Sequence, residues 1–228
     1  MARIKAVIFD MDGVLIDTEP VWRAVERDIF AGLGLRLSEE QLVESMGVPL
    51  AEVVRRRYQS HPWEGPKLDE VAASIETGVI DRARGEGEPA PGAVEALAHV
   101  RSRGLPIAIA SSSSHALIDA VIDRLGIGEY IDALCSGDDE VAGKPNPAVF
   151  LTAARRLGVA PAECLTIEDS PVGVLAAKRA GMLCVALPDP VLAGDEAFQV
   201  ADLRLESLEH FSLDTVESEL EKRAWTHV

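Results

Sequence analysis

Between Ala93 and Leu187 the hydrophobic pattern changes period again and again, and no other feature of this chain restricts its fold so strongly. Helical spacing over Ala93–Arg103 gives way to a short apolar run at Leu105–Ala110, and a second helical stretch, Ser114–Leu125, leads to a run at Ile131–Cys135. A helix over Pro147–Leu157, a strand at Cys164–Ile167, a helix over Pro171–Ala180 and a strand at Met182–Leu187 continue the series, and Leu203 with Leu205 adds a last short strand. Apolar runs this short, set off by Gly104 and Gly126, read as buried strands. Their alternation with helices predicts an α/β core: a doubly wound, Rossmann-like parallel sheet with right-handed crossovers.

The first strand, Ala6–Phe9, stands apart from this series. From Thr18 to about Arg84 the sequence carries four helical stripes and no strand: Val21, Trp22, Val25, Ile29, Phe30 and Leu33; a helix opened by the capping-box pattern Ser38–Gln41 and stopped by Gly47 and Pro49; Leu50, Val53, Val54 and Tyr58; and Leu68, Val71, Ala72, Ile75 and Val79. Gly85–Gly92, rich in glycine, proline and charge, reads as a linker. The expected organisation is therefore a core from residues 1–16 and 89–228 with an inserted four-helix cap at 17–88. The tail, Leu213–Val228, is helix-prone.

Composition excludes whole classes of partner. A net charge of -16 repels nucleic acid phosphates and anionic lipid, so neither is expected as a partner, and a phosphate site must be built from a metal or from local donors. Cys135, Cys164 and Cys184 fall in or beside apolar runs without metal-ligand spacing, as buried reduced thiols do. The amino-terminal residues lack signal-peptide architecture, and no apolar stretch is long enough to cross a bilayer. A cytoplasmic monomer is the expectation.

Polar residues follow the strands in a regular way. Strand one ends in Asp10-Met-Asp12-Gly13, the next in Ser111, and the fourth in Glu168-Asp169, while Lys144 lies in a Gly-Lys-Pro loop before a helix. Each has a bland reading alone: Asp-x-Asp-Gly as a turn, Ser111–Ser114 as a helix cap, Lys144 as a surface lysine, Glu168 and Asp169 as acids near a helix start. Together they fall on the one edge of a parallel sheet where ligands bind. Carboxylates converging there need a cation, and hard oxygen donors suit Mg²⁺, which also accepts substrate phosphate. One carboxylate can attack phosphorus, a second can move the proton, and a lysine with hydroxyl donors can hold the phosphoryl oxygens.

With these residues in place, the chain resembles the haloacid dehalogenase superfamily of phosphohydrolases over essentially its whole length, through Phe9-Asp-Met-Asp-Gly-Val14, Ser111, Lys144-Pro145 and Glu168-Asp169-Ser170. The resemblance implies Asp10 as nucleophile, Asp12 as acid/base, Mg²⁺ held by Asp10, the Asp12 backbone carbonyl and Asp169 with Glu168 behind them, and Ser111 and Lys144 on the phosphoryl group. The second aspartate sets the chain apart from the dehalogenases. Lys67, the only lysine of the cap, falls at a polar helix start, which argues against phosphonate cleavage.

Within the superfamily, the opening Asp12–Pro20 stretch, His61–Pro66 and Ala110–Ser113 are similar to phosphatases of hexitol phosphates and of 2-deoxyglucose 6-phosphate. The alternative is a β-phosphoglucomutase-type mutase, but Trp22 stands where the mutase carries a histidine and Leu50 near its arginine; Pro49 in turn replaces a basic residue of the phosphatases. The expected substrate is a small phosphorylated sugar or sugar alcohol. Glu19, Trp22, Ser112 and Ser113 are the candidate substrate contacts, with Trp22 equally readable as a core residue of its helix and Ser113 as a helix cap. Arg55-Arg56-Arg57 reads as a solvated face, since neighbours on a helix point about 100 degrees apart, and none of the five histidines has ligand spacing.

Overall fold

The computed structural model describes residues 4–45 and 48–226. They form two compact units, one built from the chain up to Asp17 and again from Glu88, the other from Thr18–Gly87.

The second unit is helical: α1 (Glu19–Gly32), α2 (Glu39–Val43), α3 (Leu50–Ser60) and α4 (Leu68–Glu86). Ser38 and Gln41 make the expected reciprocal cap, Gln41 N–H on Ser38 Oγ at 3.3 Å and Ser38 N–H on Gln41 Oε1 at 2.9 Å. Gly47, expected to stop that helix, lies outside the described residues. Gly85 and Glu86, expected to open the linker, are instead the last turn of α4, because the ladder persists as far as Gly87 N–H on the Ala83 carbonyl at 3.1 Å. Val25, Phe30, Val53, Val54, Val71, Ile75 and Val79 fill the core of this unit, while Trp22 is only partly buried. The His61–Pro66 stretch contributes a packing residue: Trp63 is 4.8 Å from the Tyr58 ring and 6.0 Å from Phe30 by centroids, and its indole N–H donates to the Pro66 carbonyl at 3.0 Å.

A charge sits in this core that no apolar stripe announces. Glu26 on α1 is buried, its Oε2 has no hydrogen-bond partner, and neither does the buried Nε of Arg57 on α3. Arg55 and Arg56 are exposed and pair with Glu52, as a solvated face requires, but Arg57 turns inward to the Gln41 carbonyl and to Ser45 Oγ at 2.8 Å. Burial pushes the Glu26 carboxyl up to about 7, against the pull of Arg57. The folded chain then holds this proton more tightly than the unfolded chain, so the stabilisation is complete below about pH 4.5 and is lost as pH rises through about 7. Glu26→Gln should flatten that slope and raise stability at pH 8 by about 3 kcal/mol. Urea unfolding of both proteins at pH 5 and pH 8 checks this, and identical pH slopes would refute it.

The first unit carries six parallel strands, β1 (Ala6–Phe9), β2 (Ile107–Ser111), β3 (Ala133–Ser136), β4 (Cys164–Glu168), β5 (Leu183–Ala186) and β6 (Leu203–Arg204), in the order β3-β2-β1-β4-β5-β6. The helices between them are α5 (Ala93–Ser102), α6 (His115–Leu125), α7 (Ala148–Leu157) and α8 (Pro171–Arg179). This is the doubly wound sheet that the alternating periods require. β2 starts two residues later than its apolar run because Pro106 has no N–H to give; its carbonyl instead accepts from Val7 at 3.1 Å. Ala6, Ile8, Ala108, Ala110, Phe150, Ala153, Val174 and Ala177 pack together on one side of the sheet, and all three cysteines are buried and free.

The tail does pack. α9 (Leu213–Thr226) buries Leu213 and Val216, and just before it the Phe211 ring meets Phe9 edge-on with centroids 6.5 Å apart. His99 Nε2 accepts the Leu213 N–H at 3.1 Å, which gives that histidine a structural task. Among the described residues no helix is long and apolar enough to cross a membrane.

The chain leaves and re-enters this unit at two points that are stitched to each other. Ala90 N–H donates to the Leu15 carbonyl at 2.9 Å, and Ile16 bridges Pro89 in antiparallel fashion.

Candidate active site

β1 lies at the middle of the sheet, where the strand order reverses. Phe9 is in register with Ile109 on β2 and Ile167 on β4, and Asp10 N–H extends the ladder by donating to the Ile167 carbonyl at 2.9 Å. Asp10, Ser111 and Glu168 therefore reach the same edge of the sheet. At such a switch point the neighbouring crossovers run to opposite faces and leave a crevice.

Lys144 supplies the positive charge. Its ammonium is 2.8 Å from Asp10 Oδ1, 2.5 Å from Glu168 Oε1 and 3.1 Å from the Ala110 carbonyl, and Nζ lies 4.9 Å from the centre of the Phe150 ring. An ammonium has three protons, and each has an acceptor here. The side chain is 4% exposed. Burial alone would pull Lys144 down, but the charges of Asp10 and Glu168 outweigh it and hold the ammonium above the usual lysine range. The other oxygen of Glu168, Oε2, accepts from Ser170 N–H at 3.3 Å and from Ser170 Oγ at 3.0 Å, so this carboxylate is committed on both sides.

Asp12 points to a different set of partners. Ser113 Oγ donates to Asp12 Oδ2 at 2.7 Å, and Ser111 Oγ donates to the same oxygen at 3.2 Å. Ser112 is exposed. The helix-capping role open to Ser113 belongs to its neighbour: Ser114 Oγ accepts the Leu117 N–H at the start of α6. The two aspartates of one short motif thus stand in unlike surroundings, Asp10 against a lysine and further carboxylates, Asp12 against hydroxyls.

A model of the haloacid dehalogenase-like hydrolase family matches residues 4–181, which hold every residue of this site. The chain belongs to that family. Hexitol phosphatase B of Escherichia coli (strain K12) is 36% identical over 207 residues, covering 90% of this chain and 93% of that protein. Fructose-1-phosphate phosphatase YqaB of the same organism is 31% identical over 183 residues, covering 79% of this chain and 94% of that protein. Among solved structures, CbbY from Rhodobacter sphaeroides in complex with phosphate superposes with a TM-score of 0.83 at 27% identity, covering 94% of this chain and 99% of that one.

This haloacid dehalogenase-like hydrolase has a carboxylate cluster fitted to a hard cation. Asp10, Glu168 and Asp169 each offer an oxygen, and the three oxygens lie within 4.8 Å of one another. Burial pushes the Asp169 carboxyl well above the usual range, with the charges of Asp10 and Glu168 adding to it; burial likewise raises Asp10, against the pull of Lys144. Crowded acids of this kind are what a divalent ion relieves, and an all-oxygen set suits Mg²⁺. Gly13, at φ 74°, makes room: a Cβ there would stand 1.9 Å from Asp169 Oδ2. The site also contains residues that strand-end reasoning passed over. Ser170 stands in its motif without an assigned role and Ser136 in an ordinary strand context, and only the fold shows that Ser170 Oγ donates to Glu168 and Ser136 Oγ to the Ser113 carbonyl. Glu19 and Trp22, by contrast, belong to the helical unit, where both are partly exposed on the first turns of α1.

Proposed function

We propose that this hydrolase is a Mg²⁺-dependent phosphomonoesterase acting on a small phosphorylated sugar or sugar alcohol through an aspartyl-phosphate intermediate. The observation that carries the reading is the separation of Asp10 from Asp12. Asp10 lies where Lys144 together with a bound cation would offset the burial that raises its carboxyl and leave it ionised for attack, and Asp12 has hydroxyl partners that hold it apart for proton transfer.

Asp10 attacks phosphorus, and the bond to the leaving oxygen breaks as Asp12 gives that oxygen its proton. Asp12, now a carboxylate, then takes a proton from water as the water oxygen attacks the phosphoryl group, which releases inorganic phosphate and restores both acids. Ser111 and Lys144 hold the phosphoryl oxygens; Lys144 gives up one of its three present acceptors to do so. Asp10, Asp169 and the Asp12 backbone carbonyl would hold Mg²⁺, with Glu168 supporting through Lys144 and Ser170. When bound, the ion supplies neutralisation of charge on the transferring group. The helical unit serves as a cap that selects substrate and excludes water, with Glu19 toward hydroxyls and Trp22 as an apolar face. The identity to hexitol phosphatase B favours hexitol and hexose phosphates over larger esters.

Phosphate release from hexose, hexitol, pentose and nucleotide monophosphates tests the reading. Turnover of a sugar or hexitol phosphate should vanish with EDTA and return with excess Mg²⁺. Metal-independent turnover would overturn the mechanism, and conversion of glucose 1-phosphate to the 6-phosphate with a bisphosphate activator, without phosphate release, would favour the mutase.

A further inference from the structure

Ser111 and Ser113 both spend their hydroxyl protons on one oxygen of Asp12. A hydroxyl has a single proton to donate. Once Ser111 gives its proton to a phosphoryl oxygen, Ser113 is the serine still donating to Asp12, and its bond is the shorter of the two.

The position of Ser113 is set from the neighbouring strand. Ser136, the last residue of β3, is fully buried and in register with Ser111 on β2. Its Oγ donates to the Ser113 carbonyl at 2.6 Å and accepts the Asp138 N–H at 3.0 Å, while Ser113 N–H donates to Ser111 Oγ at 3.0 Å. The next residue fits the same loop closely: a Cβ on Gly137 would stand 2.6 Å from the Ser112 carbonyl oxygen. The exit of β3 is therefore shaped around the Ser112–Ser113 backbone, and a buried hydroxyl at its end fixes one peptide of that loop.

We propose that Ser113 and Ser136 are positioning residues for proton transfer: Ser136 holds the Ser113 backbone, and Ser113 in turn holds the Asp12 carboxyl. Ser113 acts on the acid/base and not on the sugar, which departs from the substrate contact expected of it. The inference rests on the reading of Asp12 as the proton donor.

The test separates esters by their need for an acid. An alkyl ester such as sorbitol 6-phosphate needs its leaving oxygen protonated, whereas 4-nitrophenolate leaves unaided, and kcat/KM reports the step that forms the phosphoenzyme. Ser113→Ala and Ser136→Ala should each lower kcat/KM for sorbitol 6-phosphate about tenfold or more and that for 4-nitrophenyl phosphate less than about threefold, and Ser136→Thr, which keeps the hydroxyl, should recover most of the loss. Asp12→Asn should show the same divergence, larger. Should Asp12→Asn depress both esters equally, the proton-donor reading fails and this inference with it. If Asp12→Asn discriminates between the esters but the serine variants lower both alike or neither, the positioning role alone is refuted. Ser113→Ala, at a partly exposed position, keeps the test open if the buried Ser136→Ala does not fold.

Discussion

Asp10→Asn should abolish turnover, with kcat falling on the order of 10⁴-fold or more, while the protein stays folded. The amide matches the carboxylate in size but has no anionic oxygen to attack phosphorus. The fold should persist because Asp10 is held by its backbone, through the N–H to Ile167, and because removing one charge lessens the crowding with Glu168 and Asp169. Two measurements decide the matter. Phosphate release should drop to background with circular dichroism unchanged, and acid quenching during turnover should trap a hydroxylamine-labile phosphoryl group on the native protein but not on the variant. A trapped phosphoenzyme in Asp10→Asn would move the nucleophile elsewhere.

Lys144→Met should lose both activity and stability. The native side chain answers two buried carboxylates, Asp10 and Glu168, whose own side chains are 8% and 0% exposed. Removing one partner from a buried ion pair costs about 3–5 kcal/mol, because the remaining charge has neither water nor counter-ion. In a chain of this size that lowers the melting temperature by roughly 10 °C, measured in EDTA so that metal cannot substitute. Turnover should fall about 10²–10³-fold through loss of charge stabilisation. A double-mutant cycle separates this from general damage: adding Asp10→Asn to Lys144→Met should return part of the lost stability, since one of the stranded charges is gone. Strict additivity would mean that the ion pair does not set the stability of the site.

The parts of this protein legible in the sequence are those that obey a repeating local rule. Apolar runs gave each strand to within about two residues because a strand buried on both faces must be apolar throughout, and the strand-end rule brought Asp10, Ser111 and Glu168 to one edge without knowledge of strand order. The order itself was not legible, since β1 sits between β2 and β4 through long-range pairing that leaves no local mark. Glu26 was hidden for the opposite reason. It interrupts an apolar stripe as an exposed residue would, and only the three-dimensional arrangement shows it buried with Arg57 facing it. Lys144 was legible as a residue but not in its present state, with all three protons engaged by the protein. Ser136 carries no signal in its type or spacing; its meaning lies in a cross-strand register.

The stitching of Leu15 to Ala90 and of Ile16 to Pro89 bears on how such a protein can change over evolutionary time. Because the two ends of the excursion are already paired within the α/β unit, everything from Thr18 to Gly87 hangs from it as from the base of a hairpin. Lengthening a loop whose ends are fixed costs little entropy, so an excursion of quite different size or architecture can be accommodated there without disturbing the sheet. Descent can thus exchange the helical unit wholesale while the α/β unit and its carboxylate cluster are inherited intact, with the change confined to one junction.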